Sequence, residues 1–130
     1  RQLNNKKIKL NITAVYKISQ VKKILKSINK KTKVIISVFV GRAADNGKDP
    51  IPTLKKSISL SKKFKNVSIL WASVREPYNY LHAKQLNCHI ITVPPSIIEK
   101  IENFGKSLNI LTKETVKTFL QDSKKSKFKI

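Results

Sequence analysis

Val34-Ile35-Ile36-Ser37-Val38-Phe39-Val40 is the most continuous apolar run that indicates a strand. It is apolar at all but one position and rich in β-branched residues, which is typical of a parallel strand buried on both faces. On either side of it, less continuous apolar runs predict further strands at 8–16, 68–72 and 89–93, with a helix after each strand. A loop is expected at 41–49 and a last amphipathic helix at about 112–125. Four strand–helix units without a hairpin signal predict a parallel α/β sheet.

The spacing of these units leaves two architectures open. Steps of roughly 20 to 35 residues fit a barrel repeat as well as an open doubly wound sheet. The first strand is followed by Tyr16-Lys17-Ile18-Ser19, which contains no glycine, and the chain carries no P-loop. A nucleotide-binding fold of the usual kind is therefore disfavoured.

Length and composition exclude several classes of protein. A chain of 130 residues with 40% hydrophobic and 27% charged residues suits one globular domain over 1–130. No apolar run approaches the ~20 residues that span a bilayer, and no signal peptide opens the chain. The lone Cys88 excludes a disulfide framework and cannot supply a metal cluster. We therefore expect a cytoplasmic protein that needs neither a metal ion nor another cofactor.

The charge of the chain has two interpretations. Twenty-eight basic residues against seven acidic ones give a net charge of +21, which points toward nucleic acid or another polyanion. However, only three of the basic residues are arginine, and abundant lysine, isoleucine and asparagine together resemble an AT-rich coding bias. The lysines also look scattered along the chain. The second interpretation is preferred, so nucleic acid is not the expected partner.

Two of the three arginines lie where a ligand site is expected. Arg42 follows the second strand and Arg75 follows the third, and in parallel α/β folds ligands bind at the carboxyl ends of strands. A guanidinium grips phosphate with two parallel hydrogen bonds, which lysine cannot do. With the hydroxyl of Ser73, the two side chains predict a phosphate-sized pocket. The alternative is that both are ordinary loop residues, paired with Asp45 and Glu76.

Polar residues also interrupt the first two strands. Asn11 and Thr13 alternate and so point to the same side of the first strand, and Ser37 sits similarly in the second. They are either interior packing around a bound water or residues of the site. Cys88 and His89 lie at the opposite end of the sheet, where a structural role is expected. The chain offers no carboxylate pair and no Ser/His/Asp set, so hydrolase and metalloenzyme chemistry gain no support.

Four segments, in their order and spacing, resemble the transaldolase family: residues 11–16 (NITAVY), 37–42 (SVFVGR), 71–75 (WASVR) and 91–95 (ITVPP). The resemblance covers nearly the whole chain. It matches the last four strand–helix units of that family's eight-stranded barrel. It therefore implies the C-terminal half of a TIM-type (β/α)8 barrel, followed by a C-terminal helix.

The resemblance also implies roles for single residues. Arg42, Ser73 and Arg75 would bind the substrate phosphate, in agreement with the pocket expected from the residues alone. Asn11 would contact a sugar hydroxyl and Thr13 would hold the water that shuttles protons during Schiff-base chemistry. Ser37 would line the site of the donor sugar. Phe39 stands where the related fructose-6-phosphate aldolases have tyrosine, which favours transfer of the dihydroxyacetone unit over aldol cleavage.

The chain departs from the family in its catalytic groups. The Schiff-base lysine of these enzymes lies on the strand before the first one here, so it would precede Arg1, and the acidic residues of the earlier strands are missing too. Lys17 lies just past a strand end, but nothing suggests the desolvation that a catalytic amine needs. Ser37-Val38 also stands where many relatives have Ser-Pro.

Half a barrel has two unpaired strand edges, here at 8–16 and 89–93, and an uncovered inner face. Either the chain is the C-terminal part of a longer polypeptide, or two half-barrels pair as a homo-oligomer. The first alternative is favoured because Arg1-Gln2-Leu3 resembles the end of a helix. The expected function is that of a transaldolase-type transferase, which acts on sugar phosphates in the pentose phosphate pathway. This chain would supply the phosphate-binding half of the enzyme. The alternative is a non-catalytic basic module that binds phosphate or nucleic acid.

Overall fold

The computed structural model describes residues 2–126, in which strands and helices alternate. The four strands are β1 (Leu10–Val15), β2 (Val34–Phe39), β3 (Val67–Ala72) and β4 (Ile90–Ile91). The helices are α1 (Gln2–Asn5), α2 (Ile18–Ser27), α3 (Val40–Ala44), α4 (Ile51–Ser61), α5 (Tyr78–Gln85), α6 (Pro95–Glu102) and α7 (Leu108–Ser126). None of the helices in this part of the chain is both long and apolar enough to cross a membrane.

The sheet is parallel throughout and its strands follow the order of the chain, β1-β2-β3-β4. A doubly wound sheet reverses its strand order at a switch point, and this sheet does not. Sequential parallel strands with right-handed crossovers place every connecting helix on the same face. The prediction of a parallel α/β fold built like half of a (β/α)8 barrel is thus confirmed.

The hydrophobic core lies between the sheet and its helices. Alternate residues of β2, including Val34, Ile36 and Val38, are at most 2% exposed and pack with helix residues such as Leu25 and Leu54. The other residues of β2 face the opposite side of the sheet, which no described helix covers. In a closed barrel that side is the interior.

Several predicted boundaries were wrong. The outer strands are shorter than expected, because β1 begins at Leu10 and β4 holds only Ile90 and Ile91. The expected loop after β2 starts instead as a helix, α3, so the chain turns immediately beyond Phe39. α7 begins at Leu108, four residues early, and none of its described residues is buried.

Candidate functional site at the carboxyl edge of the sheet

The chain segments that follow β2 and β3 touch each other at Gly41. A β-carbon added to Gly41 would lie 1.6 Å from the carbonyl oxygen of Ser73 and 2.9 Å from Cγ of Arg75. No real side chain fits within such distances, so only glycine allows the two segments to approach this closely. Arg42 and Arg75 are therefore carried by segments in direct contact, as the sequence predicts.

Ser73 turns the chain sharply at the end of β3. Its φ of 66° lies in the left-handed region, which is strained for a residue other than glycine. The neighbouring Val74 is buried in the core, whereas Arg75 is exposed. This turn directs the Arg75 side chain along the edge of the sheet toward α3.

Arg75 is bound by Asp45 through two hydrogen-bonding atoms. Its Nη2 donates to Oδ2 of Asp45 at 2.7 Å, and its Nε lies 2.9 Å and 3.2 Å from the two carboxylate oxygens. Both side chains are about half exposed. Pairing with Asp45, which the sequence left open as an alternative, is therefore present for Arg75.

Arg42 lies in an aromatic environment on the other side of the Gly41 contact. Its guanidinium carbon is 5.9 Å from the ring centroid of Phe39, within the range of a cation–π interaction. Tyr16 meets the same ring edge-on at 5.7 Å. These side chains border a cavity of about 400 Å³, which Lys17 and residues of the segment before α4 also line. The cavity is large enough for a small phosphorylated molecule.

The two arginines line different cavities in this structure. Arg75 borders a second cavity of about 240 Å³ together with Glu76, Asn79 and His82. Asp49 and Pro50 contribute to both cavities, so the two adjoin. The structure thus brings the arginine-bearing segments together but does not place both guanidinium groups in one cavity. A common anion site remains a prediction.

Two of the polar strand residues meet on the uncovered face of the sheet. The hydroxyl of Ser37 donates to Oδ1 of Asn11 at 2.6 Å, which links β2 to β1. Ser37 is only 3% exposed, whereas Asn11 and Thr13 are exposed. Beyond Ile12 the register between the strands shifts, and Ala14 takes a positive φ of 57°. Asn11 and Ser37 thus form a connected polar pair, and Thr13 lies in the segment between Ile12 and Val15 where the register shifts.

The residues expected to be structural are remote from this edge. His89 accepts a hydrogen bond at Nδ1 from the backbone N–H of Ile69, at the amino end of β4. Burial raises the pKa of the Cys88 thiol, which contacts the carbonyl oxygens of Ile69 and Ile90. Cys88 and His89 therefore connect β4 to β3.

Comparison with known proteins decides the family. The family model described as transaldolase/fructose-6-phosphate aldolase matches residues 1–130, the whole chain. This chain belongs to the transaldolase family. The four segments that carried the resemblance all lie at or next to strand ends of the observed sheet.

Curated relatives in the family are moderately similar in sequence. A probable transaldolase of Nitrosopumilus maritimus is 29% identical over 129 residues, which is 98% of this chain and 54% of the relative. A probable transaldolase of Caldicellulosiruptor saccharolyticus is 26% identical over 125 residues, 95% of this chain and 54% of the relative. A probable transaldolase of Syntrophobacter fumaroxidans is 30% identical over 126 residues, which is 96% of this chain and 53% of the relative. The chain spans about half the length of the curated relatives it matches.

Sequence reasoning missed two features of the site. Asp45 was considered only as a partner that would make Arg75 an ordinary loop residue, not as a group that orients it. The importance of Gly41 was also missed, although one of only three glycines in the chain directly precedes Arg42. That rarity was the available signal, since glycine after a strand commonly marks a close approach of two backbones.

Proposed function

We propose that this chain is the phosphate-binding, C-terminal half of a transaldolase-type transferase. The reaction moves a dihydroxyacetone unit between ketose and aldose phosphates through a lysine Schiff base, as a step of the pentose phosphate pathway. Arg42, Ser73 and Arg75 bind the phosphate group of the sugar. Family membership supports the reaction class. The arrangement of the residues at the carboxyl edge of the sheet supports the assignment of phosphate binding to this chain.

The contact between Gly41 and Ser73 is the single observation that carries the proposal. It joins two arginine-bearing segments at one edge of the sheet, and charge-assisted hydrogen bonds from two guanidinium groups would bind a phosphate dianion strongly. Asp45 engages Nε and one hydrogen of Nη2 of Arg75, so Nη1 and the second hydrogen of Nη2 are left to bind the phosphate. Arg42 rests on Phe39 and reaches the same edge from the adjoining cavity.

The uncovered face of the sheet provides the remaining substrate contacts in this proposal. Asn11 and Ser37 are joined by a hydrogen bond, so either polar group can exchange its partner for a sugar hydroxyl at little cost. Thr13 is exposed and holds the water that carries protons to and from the intermediate. Phe39 supplies an apolar wall, which favours transfer over aldol cleavage.

The lysine that forms the imine is proposed to belong to the strand that precedes β1 in a complete barrel. Lys17 borders the Arg42 cavity but is an exposed side chain. An amine attacks a carbonyl near neutral pH only when burial or a neighbouring cation lowers its pKa. The same barrel strands would cover the inner face and one open edge of the sheet, which stabilises both.

Binding of fructose 6-phosphate, compared with fructose, tests the phosphate site. We expect Arg42→Lys or Arg75→Lys to weaken fructose 6-phosphate binding by tenfold or more in calorimetric titration, because lysine keeps the charge but loses the planar fork. Lys117→Arg on α7 is the matched control and should change nothing. Equal affinity in all three variants, or equal binding of fructose, would refute the phosphate site.

Borohydride trapping with fructose 6-phosphate tests the assignment of the chemistry. The 130-residue chain should give no reduced adduct by mass spectrometry, because the imine-forming lysine lies outside it in this proposal. A stable adduct on Lys17 would contradict that assignment. Lys17→Arg would then have to abolish the adduct for Lys17 to be accepted as the nucleophile.

A further inference from the structure

A repeated tetrapeptide precedes each of the first three strands. The pattern Lys-Lys-x-Lys occurs at 6–9, 30–33 and 62–65, directly before β1 and β2 and one residue before β3. Register pairs Leu10 with Val34 and Val34 with Val67, so the three copies lie side by side at the amino edge of the sheet. All nine lysines are exposed. A fourth copy at 124–127 extends beyond the described residues.

A network of asparagines fixes the three lysine-bearing loops to one another. Asn29 donates from its backbone N–H to Oδ1 of Asn4 at 2.7 Å and from Nδ2 to the Asn4 carbonyl at 2.6 Å. Asn66 donates from Nδ2 to the carbonyl oxygens of Asn29 and Thr32 at 2.9 and 2.7 Å. Asn4 is fully buried. The loops therefore hold their lysines as one preorganised surface, and preorganisation lowers the cost of binding.

The two edges of the sheet differ in charge. The seven acidic residues all follow Ala44, and none falls in the loops before β1, β2 and β3. At the carboxyl edge, by contrast, Asp45, Asp49 and Glu76 accompany the basic residues. A coding bias toward lysine would act on both edges alike, so it does not explain this difference. The lysines are distributed along the whole chain, as expected, but nine of the 25 lie in the three repeats at this one edge.

The lysines border depressions in the surface. Lys9, Lys33 and Lys65 line a cavity of about 540 Å³ at the amino edge, where Asn66 also contributes. Lys9 and Lys33 further line a second cavity of about 320 Å³, together with Lys7 and Lys31 among others. The shared residues make the two cavities adjoin. Five of the nine lysines, with members from all three repeats, thus border two adjoining depressions.

We propose that this amino edge binds the phosphate backbone of nucleic acid without base specificity. Three equal cationic clusters, repeated in a row, match a polymer whose charges repeat at regular intervals. Among the described residues, this surface carries its charge on lysine, which binds phosphate as a point charge, and includes none of the arginine that reads bases most often. Its lysines lie at the end of the sheet opposite to Arg42 and Arg75, whereas the larger depression also reaches Asn11 on the inner face of the sheet. Binding to these lysines therefore requires neither arginine.

Binding of a fluorescent oligo(dT) of about 20 nucleotides, longer than a typical single-strand site, tests the proposal by anisotropy across a range of salt. The variant replaces Lys30, Lys31 and Lys33 by glutamine. With about −0.7 in slope for each phosphate contact, the salt slope should become shallower by about 2. Affinity at 0.1 M salt should fall more than tenfold.

The matched control replaces Lys100 of α6 and Lys113 and Lys117 of α7 by glutamine, which removes the same charge from exposed positions outside the repeated tetrapeptides. It should retain affinity for the oligonucleotide within about twofold. Equal losses in the two triple variants, or no measurable binding by the parent chain, would overturn the proposal. Binding to phosphatidylserine vesicles but not to the oligonucleotide would overturn it too, in favour of a membrane surface.

Discussion

Asp45 binds Arg75 along one edge of the guanidinium, with Nη2 2.7 Å and Nε 2.9 Å from the same carboxylate oxygen, Oδ2. Within residues 2–126, Nη1 makes no hydrogen bond to the protein. The pair connects α3, which follows β2, to the segment after β3. Because both side chains are about half exposed, the pair adds little to stability. Its consequence is the orientation of the Arg75 side chain.

Asp45→Ala should weaken binding of fructose 6-phosphate several-fold, because Arg75 loses the partner that orients it. The free energy of unfolding should change by less than about 1 kcal/mol, as for other exposed ion pairs. Calorimetric titration and urea unfolding measure the two quantities. Tighter binding by the variant would show instead that Asp45 competes with the phosphate for Arg75.

Gly41→Ala should destabilise the chain by about 1–3 kcal/mol, the range for inserting an extra carbon into a packed site. The new β-carbon would collide with the Ser73 carbonyl, so the two arginine-bearing segments must separate. Phosphate binding should fall with stability. Ala44→Ser, an exposed position on the same helix, serves as control and should stay within about 0.5 kcal/mol of the parent. A neutral Gly41→Ala variant would disprove the requirement for glycine.

Ser37→Ala should cost about 1 kcal/mol of unfolding free energy, the usual net value of one hydrogen bond. It removes the 2.6 Å bond to Asn11 from a position that is 3% exposed. Thr13→Val alters an exposed side chain and should change stability by less than about 0.5 kcal/mol. Denaturant unfolding measures the free energy of unfolding of both variants. A larger loss for Thr13→Val would mean that Thr13 is structural.

The Cys88 thiol should react slowly with iodoacetamide at pH 8 in the folded chain and rapidly in urea. Burial raises its pKa above the ordinary value of 9.0, and only the thiolate is nucleophilic. As pH rises, the unfolded thiol ionises first. The buried neutral thiol therefore makes its full contribution to the free energy of unfolding below pH 9.0. This contribution is lost as the pH rises through the higher pKa of the folded chain. Equal reactivity of folded and unfolded chains would contradict this account, and Cys88→Ser provides the blank.

Much of the architecture could be predicted because it follows from the pattern of apolar and polar residues within short segments of the sequence. The apolar run of β2 and the strand–helix alternation predict a parallel sheet without any knowledge of contacts. The ends of β1 and β4 could not be predicted, because an edge strand ends where its neighbour stops pairing. α3 was missed for a related reason, since Val40 and Gly41 continue the apolar run and show no local break from β2.

The candidate site divides in the same way. The identity and order of Arg42, Ser73 and Arg75 after consecutive strands are properties of the sequence, and they suffice to predict a shared edge. Which cavity each guanidinium lines was not predictable, because it depends on packing against Phe39 for Arg42 and on the carboxylate of Asp45 for Arg75.

A parallel α/β fold, the resemblance to transaldolases and the order of the polar residues could be read from the sequence, since periodicity and motif spacing are local properties of a chain. The requirement for glycine at position 41 and the common surface of the three lysine repeats became visible in the folded chain. Those relationships join residues about 24 to 32 positions apart. They exist because parallel pairing places equivalent ends of successive strands about 4.8 Å from each other.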